Sequence, residues 1–173
     1  MKILVTAADS ALGTLLCQQL ARQHDVVPTG RNETADVNRY QCLDLTDSEA
    51  VAKVLEGVET VVHAVPCTVG ESREQNEQKL LDWVSRSTYV LTTEACKTEV
   101  RRIVLLSTLD MMRSYDERYI VTTDWQPRPR ANADTLAPHM AELVGREIAR
   151  TGKIEVVAPV SYTHLRAHET YVH

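Results

Sequence analysis

The chain has 173 residues, 43% of them hydrophobic, and a formal net charge of −5. That length and composition fit one folded domain with a substantial core and exclude a disordered chain. The acidic balance and the lack of a basic patch argue against a nucleic-acid partner, and no apolar run approaches transmembrane length.

Cys17, Cys42, Cys67 and Cys96 are scattered without Cys-x-x-Cys spacing. They read as reduced thiols in a reducing compartment. The chain opens directly on an apolar segment, which leaves no room for a signal peptide, so a cytoplasmic location is expected. Residues 2–6 read as a buried strand. Residues 11–23 place Leu12, Leu15, Leu16 and Leu20 on one face, a helical period. Val26 and Val27 form a short strand ended by Thr29-Gly30-Arg31, and residues 32–40 are polar and loop-like. Gln41-Cys42-Leu43 is a third strand. Thr46 or Asp47 can cap the helix carrying Val51, Val54 and Leu55, which Gly57 ends.

Thr60 to Val65 is a continuous apolar strand. A helix is expected from about Glu74 to Lys97, irregular near Ser85–Thr88. Ile103 to Leu106 is another buried strand, ending at Ser107-Thr108. Residues 114–135 are irregular. Residues 136–150 are helical, carrying Met140, Leu143, Val144 and Ile148 and stopping at Gly152, and Ile154 to Val157 is the last strand. Nearly all-apolar strands alternating with helices predict an α/β fold, a doubly wound parallel sheet covered on both faces. Ligands in such sheets bind beyond the carboxyl ends of the strands, where Ser107, Thr108, His63, Ala64 and the turn at residues 7–12 all fall.

Four segments, in order and spacing, carry a resemblance. They are Thr6-Ala7-Ala8-Asp9-Ser10-Ala11-Leu12-Gly13, Asp44-Leu45-Thr46-Asp47, Val61-Val62-His63-Ala64-Val65 and Arg101 to Thr108. The chain resembles the NAD(P)-dependent epimerases and dehydratases, the extended short-chain dehydrogenase/reductase group. The resemblance implies a Rossmann-type dinucleotide-binding domain over residues 1–160, truncated before the substrate domain. It implies NADP or NAD as cofactor and a small-molecule substrate. It assigns Thr6, Ala8, Asp9, Ser10, Ala11, Leu12, Gly13, Arg31, Asp44, Leu45, His63, Ala64, Val65 and Ser107 to the cofactor. Ala7, Ala8 and Ser10 stand where the family has glycines, and only Gly13 keeps its place. Arg31 follows the second strand, where an acid would read the ribose hydroxyls of NAD, and an Arg there can pair with the 2′-phosphate of NADP.

The family's catalytic Tyr-x-x-x-Lys is absent. Counting back from Glu142 puts Asp134 at the Tyr position and Pro138 at the Lys position. Thr108 matches the family's catalytic Ser/Thr. His139, one residue off register, is a candidate substitute base, since imidazole titrates near neutrality; its plainer reading is a helix-surface histidine. The resemblance therefore implies either an epimerase- or dehydratase-like oxidoreductase or a non-catalytic dinucleotide-sensing domain. No metal-ligand spacing and no Gly-x-Ser-x-Gly elbow is present. Residues 161–173 hold three of the chain's six histidines and no strand or helix period. They resemble translated sequencing-adapter read-through, and a non-native or disordered tail is the expectation.

Overall fold

A computed structural model describes residues 1–64, 73–116, 118–122 and 124–161. Seven parallel strands form one sheet: β1 (Lys2–Val5), β2 (Asp25–Gly30), β3 (Gln41–Cys42), β4 (Thr60–Ala64), β5 (Arg102–Thr108), β6 (Glu155–Val157) and β7 (Val160–Ser161). The spatial order is β3-β2-β1-β4-β5-β6, with β7 also pairing with β5. The order reverses at β1, between β2 and β4. That is the switch point where a crevice opens at the carboxyl ends of the strands.

Among the described residues, four α-helices cover the sheet: α1 (Ala11–Leu20), α2 (Ser48–Val54), α3 (Arg73–Ala95) and α4 (Ala133–Arg150). Strand side chains alternate between faces. Leu4, Val61 and Ile103 meet α2 and the end of α3 through Val51, Leu55, Leu91 and Ala95. Leu105 continues this face against Val84 of α3 and Ala137 and Ala141 of α4. Ile3, Val5, Val26 and Val62 point to the other face, where α1 packs through Cys17.

Several expectations are corrected. The Ser/Thr run near Ser85–Thr88 does not interrupt α3. Its hydroxyls donate back to carbonyls one turn earlier, Ser85 to Leu81 at 2.7 Å and Ser87 to Val84 at 3.3 Å, so they leave the backbone ladder in place. Helix α4 starts three residues earlier than expected, because the Asn132 side chain caps it by accepting from Thr135 N–H. Pro138 sits inside it and removes one backbone bond. Strand β2 is longer than its two valines and runs through Pro28 to Gly30. The edge strand continues beyond Val157: β6 breaks at Ala158-Pro159, and β7 resumes pairing through Ser107 with Val160 and Thr108 with Ser161. Of the tail read over residues 161–173, Ser161 pairs in β7, and residues 162–173 lie outside the described residues.

Candidate functional site

Strand β1 ends at Val5, and the chain turns within five residues into α1. Ser10 caps that helix: its hydroxyl accepts from Gly13 N–H at 3.0 Å and donates to the Ala7 carbonyl at 2.7 Å. The amides of Ala11 and Leu12 have no acceptor among the described residues. Two free N–H groups at the positive end of a ten-residue helix favour negative charge there. Gly13 is indispensable to the turn. A Cβ there would stand 2.7 Å from the Ala7 carbonyl carbon and 2.8 Å from Ala8 Cα, both backbone. Ala7 has φ +49°, a left-handed conformation that a glycine would adopt without strain.

Beside the turn, a cavity of about 380 Å³ is lined by Ala7, Asp9, Ser10, Gly30, Arg31, Asn32, Leu43, Leu45 and Trp83. Arg31 lies over the Trp83 ring, 4.9 Å from its centroid, a cation–π contact. The Trp83 Nε1–H is buried without a partner among the described residues. Asp9 reaches across to the end of β2, where one carboxylate oxygen accepts the N–H groups of Arg31 at 3.1 Å and Asn32 at 3.0 Å. A partly apolar cavity beside these free amides has the size and lining of a small-molecule site.

The sequence profile of the NAD dependent epimerase/dehydratase family matches residues 3–166. The chain belongs to that family. No curated protein matches it in sequence. Solved structures do match in fold. A short-chain dehydrogenase/reductase superfamily protein from Agrobacterium tumefaciens with bound NAD is 21% identical, with a TM-score of 0.80 over 91% of this chain and 48% of that one. UDP-glucuronic acid 4-epimerase from Bacillus cereus, in complex with UDP-glucuronic acid and NAD, is 21% identical, with a TM-score of 0.76 over 91% and 55%. Uronate dehydrogenase from Agrobacterium tumefaciens is 22% identical, with a TM-score of 0.76 over 90% and 58%. The chain thus spans about half the length of these structural relatives.

Within the family frame, the structure gathers Asp9, Ser10, Arg31 and Leu45 at the cavity, with Ala11, Leu12 and Gly13 at the helix end. Other assigned residues face elsewhere. His63 is fully buried, and its ring is held by two hydroxyls, Nδ1 to Thr6 at 2.8 Å and Nε2 to Thr88 at 3.1 Å. Burial pushes its pKa down to about 4, so it is a neutral core residue. Thr6 is occupied by that bond and by Ala64 N–H at 3.1 Å. Ala8 is buried, donating to Thr29 O and accepting from the Thr14 hydroxyl. Asp44 turns to Thr46, whose N–H and hydroxyl bond its carboxylate at 2.9 and 2.8 Å and hold its pKa below the ordinary value. Ala64 and Ser107 are buried, and Val65 lies outside the described residues.

On the reacting side, the Thr108 hydroxyl accepts from Asp110 N–H at 3.2 Å and caps a 3₁₀ turn over Leu109–Met112. His139 lines a second cavity of about 300 Å³ with Glu142, Arg146, Leu105 and Val156, which shares no residue with the first. Helix α4 carries no lysine, and Pro138 is buried within it. Gly30, Asn32, Leu43 and Trp83 were missed by sequence reasoning. Gly30 and Leu43 had a signal, since they border the segments Arg31 and Asp44-Leu45. Trp83 had none, because it comes from α3, far along the chain.

Proposed function

We propose that this chain binds a nicotinamide dinucleotide, NAD or NADP, as the nucleotide-binding domain, residues 1–160, of an epimerase- or dehydratase-like oxidoreductase. The observation that carries the reading is the pairing of the two free amides at the start of α1 with the cavity between Asp9 and Trp83. Ala11 and Leu12 would hold the pyrophosphate, and Leu43, Leu45 and Trp83 would enclose the adenine. A bound nicotinamide supplies hydride transfer to or from an alcohol carbon. Thr108 stands ready to hydrogen-bond a substrate oxygen. Support for a small-molecule substrate comes from UDP-sugars bound to relatives of this fold. A cytoplasmic location agrees with the scattered thiols, and among the described residues no helix is long and apolar enough to cross a membrane.

A specific observation favours a second reading, a domain that binds cofactor without turnover. Asp134 and Pro138 replace the phenol and ammonium of the family's acid/base pair, a device that contributes about 10²–10⁴-fold. One experiment separates the readings. NADH and NADPH are titrated into the protein by calorimetry, with tryptophan emission as a second signal. Turnover is then followed by cofactor absorbance with a panel of alcohols and sugar nucleotides. Binding without turnover supports the second reading. Turnover abolished by His139→Ala or Thr108→Ala supports the first. Absence of binding overturns both.

A further inference from the structure

In a sheet of this kind the cofactor's adenosine ribose is read by an acid at the end of the second strand. Here β2 ends in Gly30, followed by Arg31. The space a side chain at Gly30 would use is already filled. A Cβ there would stand 2.5 Å from Asp9 Cγ and 2.8 Å from the Tyr40 hydroxyl oxygen. The carboxylate at this place therefore comes from the first turn, twenty-one residues upstream of β2's last residue.

Its orientation is fixed. One oxygen, Oδ2, accepts both backbone N–H groups that follow β2, from Arg31 and Asn32. The other, Oδ1, has no hydrogen-bond partner among the described residues. Tyr40 closes the site from behind: its hydroxyl donates to the Asn32 carbonyl at 2.7 Å. Burial, and secondly the charge of Asp9, push the Tyr40 pKa up to about 12, so it remains a neutral phenol beside the carboxylate. Arg31, the one cation on the cavity wall among the described residues, is turned onto the face of Trp83.

We propose that Asp9 is the residue that selects the cofactor: it accepts a hydrogen bond from the ribose 2′-hydroxyl of NAD and repels the 2′-phosphate of NADP. The proposal rests on the dinucleotide-binding reading above. Its physical basis is charge. A ribose hydroxyl donates to a carboxylate in a charge-assisted bond. A 2′-phosphate brings about −1.5 to −2 charges against a carboxylate that two backbone amides hold in place. Arg31 offers the opposite preference, the one its place in the sequence suggests. It is the weaker determinant here, because answering a phosphate would require it to leave Trp83, whereas Asp9 is held by the backbone itself.

The test measures NADH and NADPH affinities of the full chain by calorimetry, for the wild type, Asp9→Asn, Asp9→Ser and Arg31→Ala. The wild type is expected to prefer NADH by on the order of tenfold or more. Asp9→Asn retains an acceptor for the two backbone amides and so preserves the turn; it should erase most of the preference by gaining NADPH affinity. Asp9→Ser is the second variant, and thermal unfolding shows whether each remains folded. Arg31→Ala should leave the NADH preference in place. A wild type that prefers NADPH, or a preference unchanged by both Asp9 variants while they stay folded, overturns the proposal and leaves dinucleotide binding intact. Failure of either cofactor to bind overturns the functional reading and this one with it.

Discussion

Ala7 is where the turn departs most from what its backbone asks for. Its φ of +49° is a conformation that costs a non-glycine residue about 1–2 kcal/mol. Ala8, its neighbour, is fully buried and does not share that conformation. Comparing Ala7→Gly with Ala8→Gly isolates the strain. Either substitution removes a buried methyl, worth roughly 0.8 kcal/mol, and frees the unfolded chain, worth about 0.4–1 kcal/mol. At Ala8 both losses stand, so a destabilisation of about 1–2 kcal/mol is expected. At Ala7 relief of strain offsets them, and stability should stay within about 1 kcal/mol of wild type. For a chain of this size each kcal/mol moves the unfolding temperature by roughly 2–4 °C. Thermal unfolding followed by circular dichroism resolves the difference. Ala7→Gly should also tighten NADH binding, because Ala7 lines the cavity and a glycine there widens it. Equal losses of stability in the two variants would refute the argument that the turn is strained at Ala7.

Two further outcomes follow from the core of the site. Gly13→Ala should destabilise by about 1–3 kcal/mol, since the added carbon meets immovable backbone at 2.7 Å; a chemical denaturation midpoint equal to wild type would show that α1 is not seated this tightly on the turn. His63 is neutral in the fold, with a pKa of about 4 against an ordinary 6.5, so the unfolded chain takes up its proton first. Its contribution is therefore complete above about pH 6.5 and is lost as pH falls toward 4, by up to about 3 kcal/mol, and His63→Gln should flatten the stability profile in that window.

The order of the elements was legible because burial imposes period 2 on strands and 3.6 on helices, and because small residues mark the turns. Asp47 could be read as a cap because its oxygen accepts from residues two and three further on, within reach of local sequence. What was not legible depends on contacts between distant segments. The register of β1 against β2 pairs Val5 with Pro28, which brings the turn after β1 beside Gly30. Asp9 thereby becomes a neighbour of Arg31, and the Arg31 that sequence position ties to a phosphate is drawn onto Trp83. His63 could be read as buried, but its ring partners, Thr6 just past β1 and Thr88 of α3, come from distant segments. Pro138 obeys the usual rule by removing a hydrogen bond, yet the Asn132 cap and the apolar face of α4 carry the helix through it.

The two ends of the sheet's carboxyl rim differ in how tightly their residues are constrained. At the nucleotide end, glycine stands at Gly13 and Gly30, where a side chain would strike the backbone of the turn or the Asp9 carboxylate. Where space or a hydrogen bond could absorb the change, other residues stand. Ser10 supplies its own cap, and Ala7 tolerates its φ. These residues leave the amides at the start of α1 free and the cavity beside them open. At the other end, Ser107 Oγ, Asp134 Oδ1 and His139 Nδ1 are buried without hydrogen-bond partners among the described residues. Each such group costs about 1–3 kcal/mol while unpaired. All three belong to β5 and α4, the elements from which the family resemblance draws its catalytic groups, whereas the nucleotide end holds one, at Trp83. Among the described residues, three of the four unpartnered buried side-chain polar atoms thus lie on β5 and α4, and one lies at the cavity beside α1. That asymmetry is why affinity for cofactor and turnover must be measured separately.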